Sequence, residues 1–96
     1  MTEERWFHVT KHHPELRKLR RLVLRTVAQP KNVFQFAKTG EFAAVAQFAE
    51  LTNLGLSSSL VVHYMELSNQ DGFIVTAFPI SRKRMGRKFS RWLRLK

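Results

Sequence analysis

Between Thr39 and Phe78 the chain carries no lysine or arginine, and its only charges are Glu41, Glu50, Glu66 and Asp71. On either side the balance inverts. Lys11, Arg17, Lys18, Arg20, Arg21 and Arg25 come before it, opposed only by Glu15. Arg82, Lys83, Arg84, Arg87, Lys88, Arg91, Arg94 and Lys96 come after it with no acid among them. A solvated face normally mixes both signs. Segregation of this kind implies a mildly acidic middle and two basic arms, from which a phosphate-tracking surface can be built.

The chain is long enough for one domain and no more, at 96 residues. A domain of this size buries roughly two-thirds of its unfolded surface, and 44% hydrophobic residues supply a core. There is no cysteine, so disulfides and thiolate metal sites are excluded. No apolar run reaches the roughly 18 residues of a membrane span. The opening Met-Thr-Glu-Glu-Arg-Trp lacks the apolar stretch of a signal peptide. The expected location is cytoplasmic and nucleoid-associated, without a membrane partner. A net charge of +10 calls for a polyanionic partner. His8, His12 and His13 have no cysteine or paired acid nearby, Ser57–Ser59 have no general base, and no Gly-rich phosphate loop is present. The expectation is therefore no enzyme, no metal and no cofactor.

Residues Arg5–Thr10 read as a short strand or an ordered arm. Pro14 and Glu15 begin a first helix, along which Leu16, Leu19, Leu22, Val23 and Val27 recur at helical spacing until Pro30. Asn32–Ala37 reads as a strand, with Phe34 and Phe36 on one face. Phe42, Val45, Phe48, Ala49 and Leu51 form a second helical stripe that stops at Gly55. Ser57 caps a third helix, with Val61, Tyr64 and Met65 along one side and Gly72 closing it. Phe73–Ile80 and Phe89–Leu95 read as two strands joined by the basic stretch Ser81–Lys88.

The stretch Leu54-Gly55-Leu56-Ser57, followed by Val61, Met65 and Gly72, resembles the winged helix-turn-helix DNA-binding superfamily of bacterial and archaeal repressors. The resemblance implies an α+β winged helix: three helices, a small antiparallel sheet and a basic β-hairpin wing. Residues 1–13 would form an N-terminal arm or extra strand and 14–96 the winged helix domain. It also implies that Ser57 caps a recognition helix whose outward residues Ser58, Ser59, Val62 and His63 meet base edges in a major groove. Ser57 and the wing residues Arg82, Lys83, Arg84, Arg87, Lys88 and Arg91 would hold the backbone, with Arg17, Lys18, Arg20, Arg21 and Arg25 as a second basic patch.

The function expected on this reading is double-stranded DNA binding by a homodimeric transcriptional repressor or a mobile-element accessory factor. Two alternatives stand beside it. One is an RNA or single-strand binder, which an amphipathic basic helix carrying Phe89, Trp92, Leu93 and Lys96 would favour. The other is a protein-assembly module docking a partner through the third helix, which is apolar nearly all round.

Overall fold

A computed structural model describes residues 3–67 and 72–96. It is α+β, with a five-stranded antiparallel sheet and helices on both of its faces. In chain order the elements are α1 (Glu3–His12), a 3₁₀ turn (Pro14–Leu16), α2 (Arg20–Ala28), β1 (Asn32–Gln35), β2 (Phe42–Gln47), α3 (Ala49–Asn53), β3 (Ser59–Glu66), β4 (Gly72–Ile80), α4 (Arg82–Lys88) and β5 (Leu93–Arg94). The strands lie in the order β4-β3-β2-β1-β5.

The amino-terminal segment is helical rather than a strand or arm. Its acids, Glu3 and Glu4, sit in the first turn and Lys11 and His12 in the last, where each complements the helix dipole. Thr10 donates its hydroxyl back to the carbonyls of Trp6 and Phe7, which quiets a residue otherwise poor in helices. Val9 is buried in the same core as α2. The first helix expected from Pro14 is broken in two. Pro14 starts a single 3₁₀ turn, and α2 begins only at Arg20. Its apolar stripe is nonetheless as expected, with Leu16, Leu19, Leu22 and Val23 buried.

The larger departure is in the middle of the chain. The second helical stripe is divided between β2 and the short α3, and the third helix is replaced by β3. The helix-turn-helix is thus absent among the described residues, and the end of the expected recognition helix, just before Gly72, lies outside them. The physical reason is two-sided burial. Ala43, Ala44 and Val45 of β2 and Leu60, Val61 and Val62 of β3 are at most 1% exposed. A strand covered on both faces loses the polar-apolar alternation that marks strands, and its continuous apolar run then mimics a buried helix. The β-branched pair Val61-Val62 favours the extended form.

Gly55 does adopt a left-handed conformation (φ 75°), but it turns the chain out of α3 and into a strand. Gly72, expected to close a helix, opens β4 instead, and a Cβ there would meet the Met65 carbonyl oxygen at 2.5 Å, so only glycine lets the two backbones close. The wing is also replaced. Ser81–Lys88 is not a hairpin tip but a cap and a helix: the Ser81 hydroxyl accepts from the Arg84 amide at 3.2 Å and α4 follows. The returning strand shrinks to β5, which pairs with β1 and not with β4. Leu95 donates its amide to the Val33 carbonyl at 2.8 Å, completing that edge.

The sheet separates two cores. On one face α1, α2 and α3 bury Val9, Leu19, Leu22, Val23 and Leu51 against Leu60, Val62, Ile74 and Ala77. On the other, α4 and the turn after it lay Phe89, Met85 and Trp92 over Ala43, Val45, Val61, Phe34, Phe78 and Ile80.

Candidate nucleic-acid interface

Alternation along β3 decides which side chains reach which layer. Leu60 and Val62 join the aliphatic core and Val61 the aromatic one. His63 also lies on the aromatic side, with its ring 5.5 Å from Phe78, 5.5 Å from Trp92 and 6.0 Å from Phe89. Further rings continue the layer. Phe34 stacks on Phe89 at 4.7 Å, Phe36 on Trp92 at 5.3 Å, and Phe89 meets Trp92 edge-on at 5.0 Å.

Helix α4 crosses this aromatic layer and brings cations to it. Lys88 holds its ammonium 5.1 Å from the centre of Phe78. A groove of ≈ 560 Å³ on one side of α4 is lined by His13, Phe78, Ile80, Arg84, Arg87 and Lys88. A second, of ≈ 530 Å³, is lined by Phe36, Ala37, Lys38, Arg87, Lys88, Ser90, Arg91 and Trp92. Arg87 and Lys88 belong to both, so the grooves meet across the end of α4. Among the described residues Arg84, Arg87, Lys88 and Arg91 form no ion pair, and their charge faces solvent.

Two histidines mark this region. His13 lies over Phe78 at 5.6 Å, and its Nδ1 sits 3.2 Å from a Glu15 carboxylate oxygen. Pro14 between them starts the rigid turn that presents both. His63 is 5% exposed. Its Nδ1 lies 3.3 Å from the Glu41 carboxylate, within ion-pair range but not aligned as a hydrogen bond, and neither ring nitrogen has a hydrogen-bond partner among the described residues. Burial pushes the His63 pKa below its ordinary value of 6.5. Glu41 pulls it upward and Lys88 pushes it down again.

The residues singled out from sequence are scattered. Ser57 and Ser58 are exposed in the turn before β3. Ser59, Val62 and His63 are at most 5% exposed, so the base-edge contacts expected of them are corrected: inside a central strand they reach no nucleic acid. Arg82, Lys83, Arg84, Arg87, Lys88 and Arg91 are exposed, on and just after α4. Arg17, Lys18, Arg21 and Arg25 are exposed on the opposite side of the sheet, on and before α2, so the two basic arms do not merge into one surface. Arg20 pairs with Glu3 and lies over Trp6, and Arg21 pairs with Glu50 at 3.4 Å. Sequence reasoning did not single out His13, Phe36 or Phe78 as site residues. The legible hint was a run of aromatics at Phe34, Phe36, Phe78, Phe89 and Trp92 beside basic segments.

Neither a protein-family model, nor a curated protein, nor a solved structure matches the chain. No helix among the described residues is long and apolar enough to cross a membrane.

Proposed function

We propose that this protein binds single-stranded RNA along a track formed by the two grooves flanking α4. One observation carries the reading: both grooves pair an aromatic platform with cations, and they share Arg87 and Lys88. A strand lying from the His13–Phe78 stack to Trp92 would place a base against the aromatic group at each end and set its intervening phosphates on the shared cations. Stacking on an aromatic side chain contributes about 1–3 kcal/mol per base. A duplex hides its base faces, and the helix that would have entered its major groove is here the buried strand β3. The single-strand reading therefore has the better support.

The test is a titration of a short labelled oligoribonucleotide with Trp6→Phe protein, which leaves Trp92 as the sole tryptophan. Expected are quenching of Trp92 on binding and weak competition by a duplex of the same sequence. With about four phosphates neutralised, the log–log salt slope should be about −3. Unquenched Trp92, or a duplex that competes equally well, removes this reading.

The His13–Glu15 pair supports a second reading, in which the track also cleaves its strand. Glu15 engages Nδ1 and leaves Nε2 as the nitrogen able to take a proton, in a groove that also holds Arg84, Arg87 and Lys88. His13 would take the proton of an RNA 2′-hydroxyl as O2′ bonds to phosphorus. The P–O5′ bond then breaks, and water protonates the departing oxygen. The products would be a 2′,3′-cyclic phosphate and a free 5′-hydroxyl. His13→Gln should cut turnover about 10²-fold or more while affinity holds. RNA that stays intact with the native protein removes this reading and leaves binding untouched.

A further inference from the structure

We propose that His63 makes the strand track acid-labile: protonating its ring unseats α4 and the Phe89–Trp92 turn, and the protein releases its strand as the pH falls. This rests on the strand-binding reading above.

The argument begins with what His63 supports. It sits on β3 beneath the track, and three rings surround it, each from a part of the track. Phe78 is the platform of one groove, Trp92 of the other, and Phe89 caps α4 from below. A neutral imidazole fills that space as a flat, weakly polar plate. An imidazolium there would be buried with an unsatisfied Nε2, and a buried unpaired donor or charge is costly.

The surrounding charges do not rescue it. From the segment before β2 comes Glu41, whose side chain is 24% exposed, so part of its attraction is spent on water. From α4 comes Lys88, which sits over the same Phe78 ring that His63 stacks on. His13 lies over that ring as well, at 5.6 Å. From β2 the register brings Ala43 opposite His63, and from β4 Thr76, neither charged. One acid and one fixed cation thus meet at His63, and desolvation weighs against the charged form.

The protein can lower this cost only by letting water in, and the layer that can move is the outer one. Sheet neighbours β2 and β4 hold β3 on both sides, whereas α4 is a seven-residue helix with no buried residue of its own. Acid therefore acts on the element that carries Arg84, Arg87 and Lys88.

The sign separates this device from ordinary behaviour. A basic nucleic-acid binder ordinarily tightens as the pH falls, because histidines at such a surface gain charge. Here the affinity should fall instead. The experiment measures affinity for a 2′-O-methyl oligoribonucleotide, which cannot be cleaved through its 2′-oxygen, from pH 7.5 to 5 at constant ionic strength. In the Trp6→Phe background, Trp92 emission and the His63 ring-proton shift are followed over the same range. Native protein should lose about tenfold in affinity at the point where nine molecules in ten have α4 unseated. His63→Phe should keep its affinity or tighten. Glu41→Gln, which removes the attraction of this carboxylate for the charged ring, should move the loss to lower pH. The Trp92 and His63 transitions should coincide. Equal pH profiles for native and His63→Phe protein overturn the proposal, as does a Trp92 signal that stays flat while His63 titrates. The last comparison needs no oligonucleotide, so it reports on the device even if the strand-binding reading fails.

Discussion

The two faces of the sheet are built from different chemistry. The α1–α3 face is closed chiefly by aliphatic side chains, Leu16, Leu19, Leu22, Leu51 and Leu60, with Phe48 and Trp6 as its aromatic members. The α4 face is closed by rings: Phe34, Phe78, Phe89, Trp92 and the imidazole of His63. Aliphatic packing serves a fold and little else. Aromatic packing that runs out to a basic rim can serve a ligand as well, because each ring at its edge remains a stacking surface. Both faces carry cations on their outer helices. On the α2 side, though, Arg20 and Arg21 are paired to acids, and the hollow there (Arg25, Gln29, Lys31, Gln47 and Glu50 among its lining) holds a single ring, Phe48. The proposed interface rests on charge beside aromatic rings, of which the α2 hollow has one.

The comparison breaks most visibly at the aliphatic core. Leu60→Ala should cost about 2–5 kcal/mol, since Leu60 is wholly buried and the interlocked helices leave little room for collapse. Chemical denaturation would read this as a lower midpoint at unchanged slope. Strand affinity of the remaining folded protein should be unaltered, and a specific affinity loss would mean that the two faces are not separate in function.

Next in size is the charge carried by both grooves. Arg87→Ala together with Lys88→Ala should flatten the salt slope by about 0.7 per removed contact. Thermal stability should shift by less than about 0.5 kcal/mol for Arg87→Ala, an exposed position. An unchanged slope would take these two residues out of the interface.

A smaller effect concerns the seat of α4. Ser81→Ala removes its side-chain cap and should cost about 1 kcal/mol locally. Amide exchange should quicken in α4 and not in α2. Equal changes in both helices would show that the layers open as one unit.

The pH dependence of stability tests the aromatic face by its histidine. The His63 pKa is lower in the folded protein than the ordinary 6.5, so the unfolded chain binds the proton more readily. Its contribution is complete above about pH 6.5 and is lost as pH falls from there through the folded pKa. His63→Phe should flatten this segment of a melting-temperature profile, and a profile that is the same in both proteins would contradict the assignment.

The smallest effect is expected on the α2 side. Arg21→Ala breaks an exposed pair with Glu50, worth about 0–1 kcal/mol, and should leave strand affinity alone. A fall in affinity there would extend the interface around the molecule.

Legibility in the sequence differed from element to element. Leu16, Leu19, Leu22 and Val23 announce an amphipathic segment, and Phe73–Ile80 reads as a strand and is one. Pro30 ends α2 nearby, as expected. Helices α1 and α4 were missed, read as a strand or arm and as a wing. Strands β2 and β3 were opaque, because Ala43–Ala46 and Leu60–Val62 are apolar at every position and carry no period. Leu-Gly-Leu-Ser then tipped the balance toward a helix-turn-helix, although the turn at Gly55 serves a helix-to-strand junction equally well. The charge pattern is divided by the fold. Its carboxy-terminal arm lies beside the candidate track, while its amino-terminal arm falls on the opposite face. His13 was weighed only as a metal ligand, because its partner Phe78 is distant in sequence and only the docking of the 3₁₀ turn against β4 joins them.

The most direct measurement is an amide and side-chain chemical-shift map of the labelled protein during addition of a short uncleavable RNA strand. The account predicts perturbations at His13, Phe36, Phe78, Arg84, Arg87, Lys88 and Trp92, with α2 and the Ser57–Ser58 turn unmoved. Perturbations centred on Arg17–Arg25 or on Ser57–Ser58, with α4 silent, would contradict it.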